Sequence, residues 1–200
     1  MQVLNDLRDS EDIDVVVLVT KQDFWDSAGG VAYAPATREG DRNWCGFVSV
    51  GVNNTYGNYT AIHEFGPTFG CQHSLEQSCN PPPAHRLFKY GTAWKGITNN
   101  RYSITVMGYP APACHNGNWH THLPYFSSPD IIIDDGVAIG NHELANNRLV
   151  IRQMKFMSAT YGKGMVRSQD DKNVQYGSSA TMQPKINKHN LELRSGDKMV

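Results

Sequence analysis

Apolar positions in this chain fall into short runs of two kinds, and the runs decide the elements. Residues 15–19 (VVVLV) are apolar without a break after Asp14, the pattern of a strand buried on both faces. Residues 47–52 alternate instead, with Val48, Val50 and Val52 on one side, and predict a second strand. Between them, residues 31–34 follow Gly29 and Gly30 and predict a short edge strand. Helical spacing occurs in three places. Residues 3–9 carry Val3, Leu4 and Leu7, and residues 60–69 carry Ile62, Phe65 and Phe69 as a buried stripe. After Asn141, the residues Leu144, Ile151, Met154 and Met157 share one face and Gly162 ends the helix. Asn58 and Asn141 are the predicted caps, with Glu143 in the first turn of the last helix. Methionines at that spacing are core packing.

The remainder is connection. Phe24 and Trp25 lie in a loop, residues 37–43 are polar and exposed, and Asn53, Asn54, Gly57 and Asn58 turn the chain into the central helix. Pro81, Pro82 and Pro83 exclude regular structure. The aromatic-rich stretch 85–98, with Phe88, Tyr90 and Trp94, is expected to pack over the lower half of the domain. Large apolar residues thin out after residue 162, so the chain divides into a domain of residues 1–162 and a polar tail or linker, disordered, over 163–200.

Chemistry concentrates in residues 60–73, TAIHEFGPTFGCQH. His63 and Glu64 sit on the predicted helix, and Gly70 stands where a helix commonly ends in a left-handed residue. A sharp turn there carries His73 back toward His63. The stretch resembles the metzincin zinc metallopeptidase signature H-E-x-x-H-x-x-G-x-x-H. Carried over position by position, His63 and His73 match the first and third zinc ligands, Glu64 the general base and Gly70 the turn. The second ligand falls at position 67, where this chain has Pro67. Proline offers a metal no lone pair, and in a helix interior it costs about 3 kcal/mol. The helix is therefore expected to kink or end early at His63.

Two further phrases extend the resemblance over roughly residues 4–162. SITVMGYP (103–110) looks like the metzincin Met-turn, with Met107 as the methionine beneath the metal. Tyr109 matches a tyrosine that in some metzincin branches binds zinc or stabilises the oxyanion, and an ordinary structural tyrosine suits the position equally well. PYFSSPDI (124–131) before the last helix resembles bacterial metzincins of the reprolysin-like kind. The resemblance implies an α+β, zincin-like catalytic domain with a mixed twisted sheet, an active-site helix and a Met-turn, here lacking its N-terminal strand–helix–strand. It also implies a Zn2+ cofactor, a protein or peptide substrate, and an extracellular or periplasmic location. His115, His120 and His122 are expected to be solvent-exposed on a flexible segment rather than to replace the ligand at position 67. Cys71 is expected in a disulfide or as a buried thiol.

Composition narrows the alternatives. A net charge of −1 and near-neutral pI give no electrostatic case for nucleic acid or an anionic membrane. No apolar run approaches transmembrane length, and the acidic, amphipathic start MQVLNDLRDSED is not a signal peptide. Four cysteines, Cys45, Cys71, Cys79 and Cys114, allow three pairings into two disulfides. Asn53 and Asn58 begin N-x-Thr sequons. Internal repeats and nucleotide-binding glycine loops are absent. The expected function is a zinc-dependent metalloendopeptidase scaffold impaired by Pro67. The alternatives are a pseudopeptidase serving as a protein-binding module, or a truncated structural fragment.

Overall fold

The computed structural model describes residues 2–11, 13–21, 29–35, 46–52, 59–159 and 161. The chain divides into units 1–166 and 167–200, and every described residue belongs to the first. The predicted tail, Cys45, the two sequons' asparagines, the Asn58 cap, the 24–25 loop, the 37–43 connection and Gly162 lie outside the described residues.

The described residues form an α+β structure with two mixed sheets. Helix α1 (Gln2–Ser10) leads into strand β1 (Val16–Thr20), followed by β2 (Gly30–Ala32) and β3 (Phe47–Gly51). The first sheet has the order β1-β3-β2, with β1 parallel and β2 antiparallel to β3. β3 is therefore the central strand, and Phe47, Val48 and Val50 are all buried. The unbroken run at 15–19 misidentified the doubly covered strand: β1 is an edge, and Val17, Leu18 and Val19 are 40%, 44% and 53% exposed. Only β3 pairs with β1 among the described residues, so its other edge has no strand partner there. Val52 falls just past β3 and is exposed, so the predicted side of three valines is reduced to two. Val3, predicted on the apolar side of α1, is also exposed.

Helix α2 (Thr60–Thr68) crosses β2 and β3. It runs through Pro67 instead of breaking at His63, because the proline lies in the last turn, where a single missing intrahelical donor is tolerated. The buried face is not the predicted apolar stripe. Ile62 is exposed, Phe65 and Phe69 are half-buried, and the covered residues are His63, Glu64, Gly66 and Thr68. Gly66 is needed there, since a Cβ would come 2.2 Å from Met107 Sδ. Gly70 ends the helix at φ +91°, with its N–H donated to Pro67 O and that of Cys71 to Gly66 O.

A second sheet, unforeseen in the sequence, contains β4 (Lys95–Thr98), β5 (Arg101–Thr105) and β6 (Thr121–Leu123) in the order β4-β5-β6. Asn99 and Asn100 take positive φ and close the β4–β5 hairpin. Helix α3 (Asn147–Ser158) starts five residues later than predicted. Asn146 is its cap, accepting from Leu149 N, while Asn141 closes a preceding turn by accepting from the amides of Glu143, Leu144 and Ala145. Leu144 is consequently exposed, while Val150 and Met154 are buried. The core joins these two residues to Cys71, Phe88, Ala93 and Met107, directly beneath α2.

Candidate active site

The cleft lies between β2 and α2, has a volume of about 260 Å3, and is lined by Gly30, Val31, Ala32, His63, Glu64, Pro67, His73, Asn80 and Tyr109 among others. The Gly70 turn brings His73 back as expected, and the chain before it is fixed by Gln72, whose N–H donates to Gly91 O and whose carbonyl accepts from Ala93 N. His63 Nε2 and His73 Nε2 face each other at 3.2 Å.

The other nitrogen of each ring decides what those two atoms are. His63 Nδ1 donates to Val106 O at 2.8 Å, and His73 Nδ1 donates to Asn80 O at 2.8 Å. Carbonyls only accept, so in each neutral ring the proton sits on Nδ1 and Nε2 carries a bare lone pair. Burial lowers the pKa of His63 to about 4, helped by nearby His73, opposed by the Val106 carbonyl and lowered slightly further by His122. Burial likewise lowers His73, against the Asn80 carbonyl. Both rings are thus neutral at pH 7, with two lone pairs pointed at one spot. Nitrogens sharing a tetrahedral zinc stand roughly 3.3–3.4 Å apart, given zinc–nitrogen distances of about 2.0–2.1 Å. Donor type and spacing therefore fit zinc, and each ring has the carbonyl support that metal-bound imidazoles commonly use.

The number of donors does not fit. Pro67 faces the same cleft and has no donor atom to offer. Among the described residues no three or more His, Cys, Asp or Glu side chains converge to hold a metal. Cys71 is a free thiol directed into the core, with Sγ 3.7 Å from Asn147 O, and burial raises its pKa far above the usual thiol range. His122 is near enough to influence His63, yet its Nε2 donates to Gly108 O at 2.8 Å.

Glu64 lies beside the two imidazoles with its side chain over Gly30, where a Cβ would come 2.6 Å from Glu64 Cγ. Burial raises its pKa to about 7, so at neutral pH the carboxyl can both accept and donate a proton. The Tyr109 ring packs 4.6 Å from His73 and 5.7 Å from His63, measured between centroids. Its hydroxyl accepts from Asn80 Nδ2 at 3.3 Å, and its backbone N–H donates to the buried Gln77 side chain. All four predicted site residues therefore meet in one cleft. The sequence did not disclose the carbonyls of Val106 and Asn80, nor Gln77, because backbone acceptors carry no residue signature.

The cysteines and the other histidines depart from expectation. Cys79 pairs with Cys114, which ties the segment bearing Asn80 to the segment before β6. His115 and His120 are buried and His122 half-buried, not exposed on a flexible loop.

Comparison with known proteins bears on the same region. Residues 1–74, which end just past His73, match the family described as metallo-peptidase family M12B, reprolysin-like. No curated protein matches the chain. A solved structure titled as a chaperone–substrate complex superposes with a TM-score of 0.50 at 13% identity, over 81% of this chain. This chain spans 23% of that one, so the likeness concerns fold alone. The match over residues 1–74 supports a relationship to the reprolysin-like metallopeptidases.

Proposed function

We propose that the chain carries the substrate cleft of a zinc-dependent metalloendopeptidase in which hydrolysis is impaired. The observation that carries this reading is the convergence of two carbonyl-anchored imidazole lone pairs, 3.2 Å apart, beside a desolvated carboxyl in an open cleft. His63 and His73 are the metal ligands of this reading, Glu64 its base, and Tyr109 its oxyanion donor. Zinc, where bound by such a site, would polarise a carbonyl and lower the pKa of a water. Pro67 stands where the family pattern has its second ligand, so the donor set is one arm short of the three that catalytic zinc sites use.

The chain's own residues account for substrate handling. Among the described residues β2 is an edge strand on the cleft wall, which suits an extended peptide laid beside it. Glu64 near neutrality can hold or release a proton at the scissile bond. Met107, buried against Gly66 beneath α2 and following the carbonyl that anchors His63, supports the Met-turn reading of residues 103–110. The Cys79–Cys114 disulfide supports an oxidising compartment, extracellular or periplasmic. Neither nucleic acid nor membrane is a partner in this reading, and residues 163–200 serve as a tail or linker. A second reading, a protein-binding module without catalysis, is favoured by Pro67 itself.

The test compares wild type with Pro67→His for zinc content and cleavage of a denatured protein substrate. We expect wild type to retain zinc poorly and to cleave little or nothing. Pro67→His should gain both, with the cleavage abolished by a further Glu64→Ala. Robust wild-type cleavage lost in Glu64→Ala would overturn the impairment. A Pro67→His protein that holds zinc without cleaving would favour the binding module.

A further inference from the structure

Tyr109 stands in irregular chain beyond β5, and side chains take both of its backbone polar groups. Its N–H donates to Gln77 Oε1 at 3.0 Å, and its carbonyl accepts from His115 Nε2. Gln77 and His115 are 3% and 4% exposed, so both bonds form away from bulk water and hold their geometry firmly.

The other half of the Gln77 amide reaches the segment that supports His73. Gln77 Nε2 donates to Cys79 O at 2.7 Å and to Asn80 O at 3.4 Å. The same Asn80 carbonyl accepts the Nδ1 proton of His73, and its two lone pairs let it take both donors. Partner chemistry fixes the orientation of the amide, because the Tyr109 N–H can only donate and the two carbonyls can only accept. One buried side chain thus spans the anchor of His73 and the backbone of Tyr109.

Asn80 needs such a hold. Its φ is +44°, in the left-handed region that residues other than glycine enter at a cost, asparagine least of all. Its Nδ2 also donates to the Tyr109 hydroxyl at 3.3 Å, but from an exposed position where water competes. The Cys79–Cys114 disulfide and the Ser78 bonds to Ala113 O and Cys114 O fasten the preceding residues to a different segment.

We propose that Gln77 is a positioning residue of the cleft. Through Asn80 O it fixes the ring of His73, and through the Tyr109 N–H it fixes the phenol, so that metal ligand and oxyanion donor keep one spacing. The roles of His73 and Tyr109 rest on the metallopeptidase reading, whereas the linkage between them does not.

The experiment places Gln77→Met, similar in length and without an amide, in the full metal-free chain. Imidazole nitrogen spectra should then show His73 populating both neutral tautomers, while His63, anchored on Val106 O, keeps its proton on Nδ1. The Tyr109 amide should exchange with solvent about fivefold faster, the equivalent of one net hydrogen bond. The Val106 amide, which donates to Tyr125 O, should not change. A general loss of stability would instead move both histidines and both amides together. In the Pro67→His background, Gln77→Met should weaken zinc binding about tenfold. A Pro67→His protein that binds no zinc would refute the metallopeptidase reading alone, since the metal-free spectra decide the role of Gln77. Should Gln77→Met fail to fold, wild type provides the readout: the Gln77 side-chain amide protons and the Tyr109 amide should both be protected from exchange. Free exchange of the Gln77 amide, a His73 tautomer unmoved by Gln77→Met, or His63 changing equally would each overturn the proposal.

Discussion

Glu64 and His63 are neighbours on α2 whose protonation equilibria move in opposite senses on folding, and this sets the pH dependence of the metal-free protein. The native structure holds the Glu64 proton more tightly than the unfolded chain does, with a pKa of about 7 against an ordinary 4.5. His63 binds its proton less tightly when folded, at about 4 against 6.5. Stability rises with pH wherever the unfolded chain binds more protons. For His63 that window is about 4 to 6.5, so acidification through it removes stability. For Glu64 the native state binds more protons between about 4.5 and 7, so acidification through that window adds stability. Each shift corresponds to about 3 kcal/mol, and across the shared window the two nearly cancel.

Glu64→Gln removes one side of this balance. The difference in unfolding free energy between wild type and Glu64→Gln should change by about 3 kcal/mol between pH 7.5 and 4.5, wild type gaining at the acid end. Within pH 5 to 6.5 the slope of that difference should be about −1 kcal/mol per pH unit, a little under the value for one full extra proton held by the native state. Taking the difference cancels the titrations common to both proteins, including those of His73 and His122, which burial also depresses. The assay is urea unfolding in chelating buffer at half-unit pH steps. A flat difference, or one rising with pH, would mean that Glu64 is not desolvated as its position over Gly30 requires.

Other perturbations test the packing around the site. Gly66→Ala would ordinarily favour a helix by about 1 kcal/mol, but the new Cβ would meet Met107 Sδ at 2.2 Å and a Phe126 ring carbon at 3.1 Å. Thermal melts should show a net loss of about 1–3 kcal/mol, relieved when Met107→Ala is added. Gly30→Ala places a Cβ 2.6 Å from Glu64 Cγ and should displace that carboxyl, lowering its pKa toward the ordinary range in a carbon-detected titration. Reducing Cys79–Cys114, which closes a separation of 35 residues, should cost about 3–4 kcal/mol in urea unfolding. Because Asn80 O anchors His73, the same reduction should broaden the His73 ring resonances.

What the sequence revealed follows from which interactions leave a mark on side-chain identity. His63, Glu64, Gly70 and His73 were legible because a helix and one left-handed residue fix their relation locally. Their relation along the chain is local, although Val106 O and the pairing of Gln72 with Gly91 and Ala93 complete the arrangement. The course of α2 through Pro67 was misjudged because the penalty depends on how many turns follow the proline, and here none does. β1 was misread because an unbroken apolar run reports hydrophobicity, not what lies against it. The β4–β5 hairpin did leave a signal: Asn99-Asn100 is a pair that tolerates positive φ at both turn positions, set between short β-prone segments. The loop histidines were placed outside because polar, Gly- and Asn-rich composition normally means solvent. A disulfide and a parallel strand pairing, both long-range, draw them in.

The two cleft histidines follow one physical rule. In each ring a backbone carbonyl takes the proton on Nδ1 and leaves Nε2 bare, and the two bare nitrogens face each other at 3.2 Å in a desolvated place. A protein stabilised only by its core gains nothing from such an arrangement, because a lone pair facing a lone pair forfeits hydrogen bonds that water would supply. The arrangement becomes favourable when an electron-pair acceptor enters. Around that point stand a carboxyl, a phenol and a strand that is an edge among the described residues. A metal-free protein should therefore be strained at the His63–His73 pair, and that strain should ease when a metal ion is added.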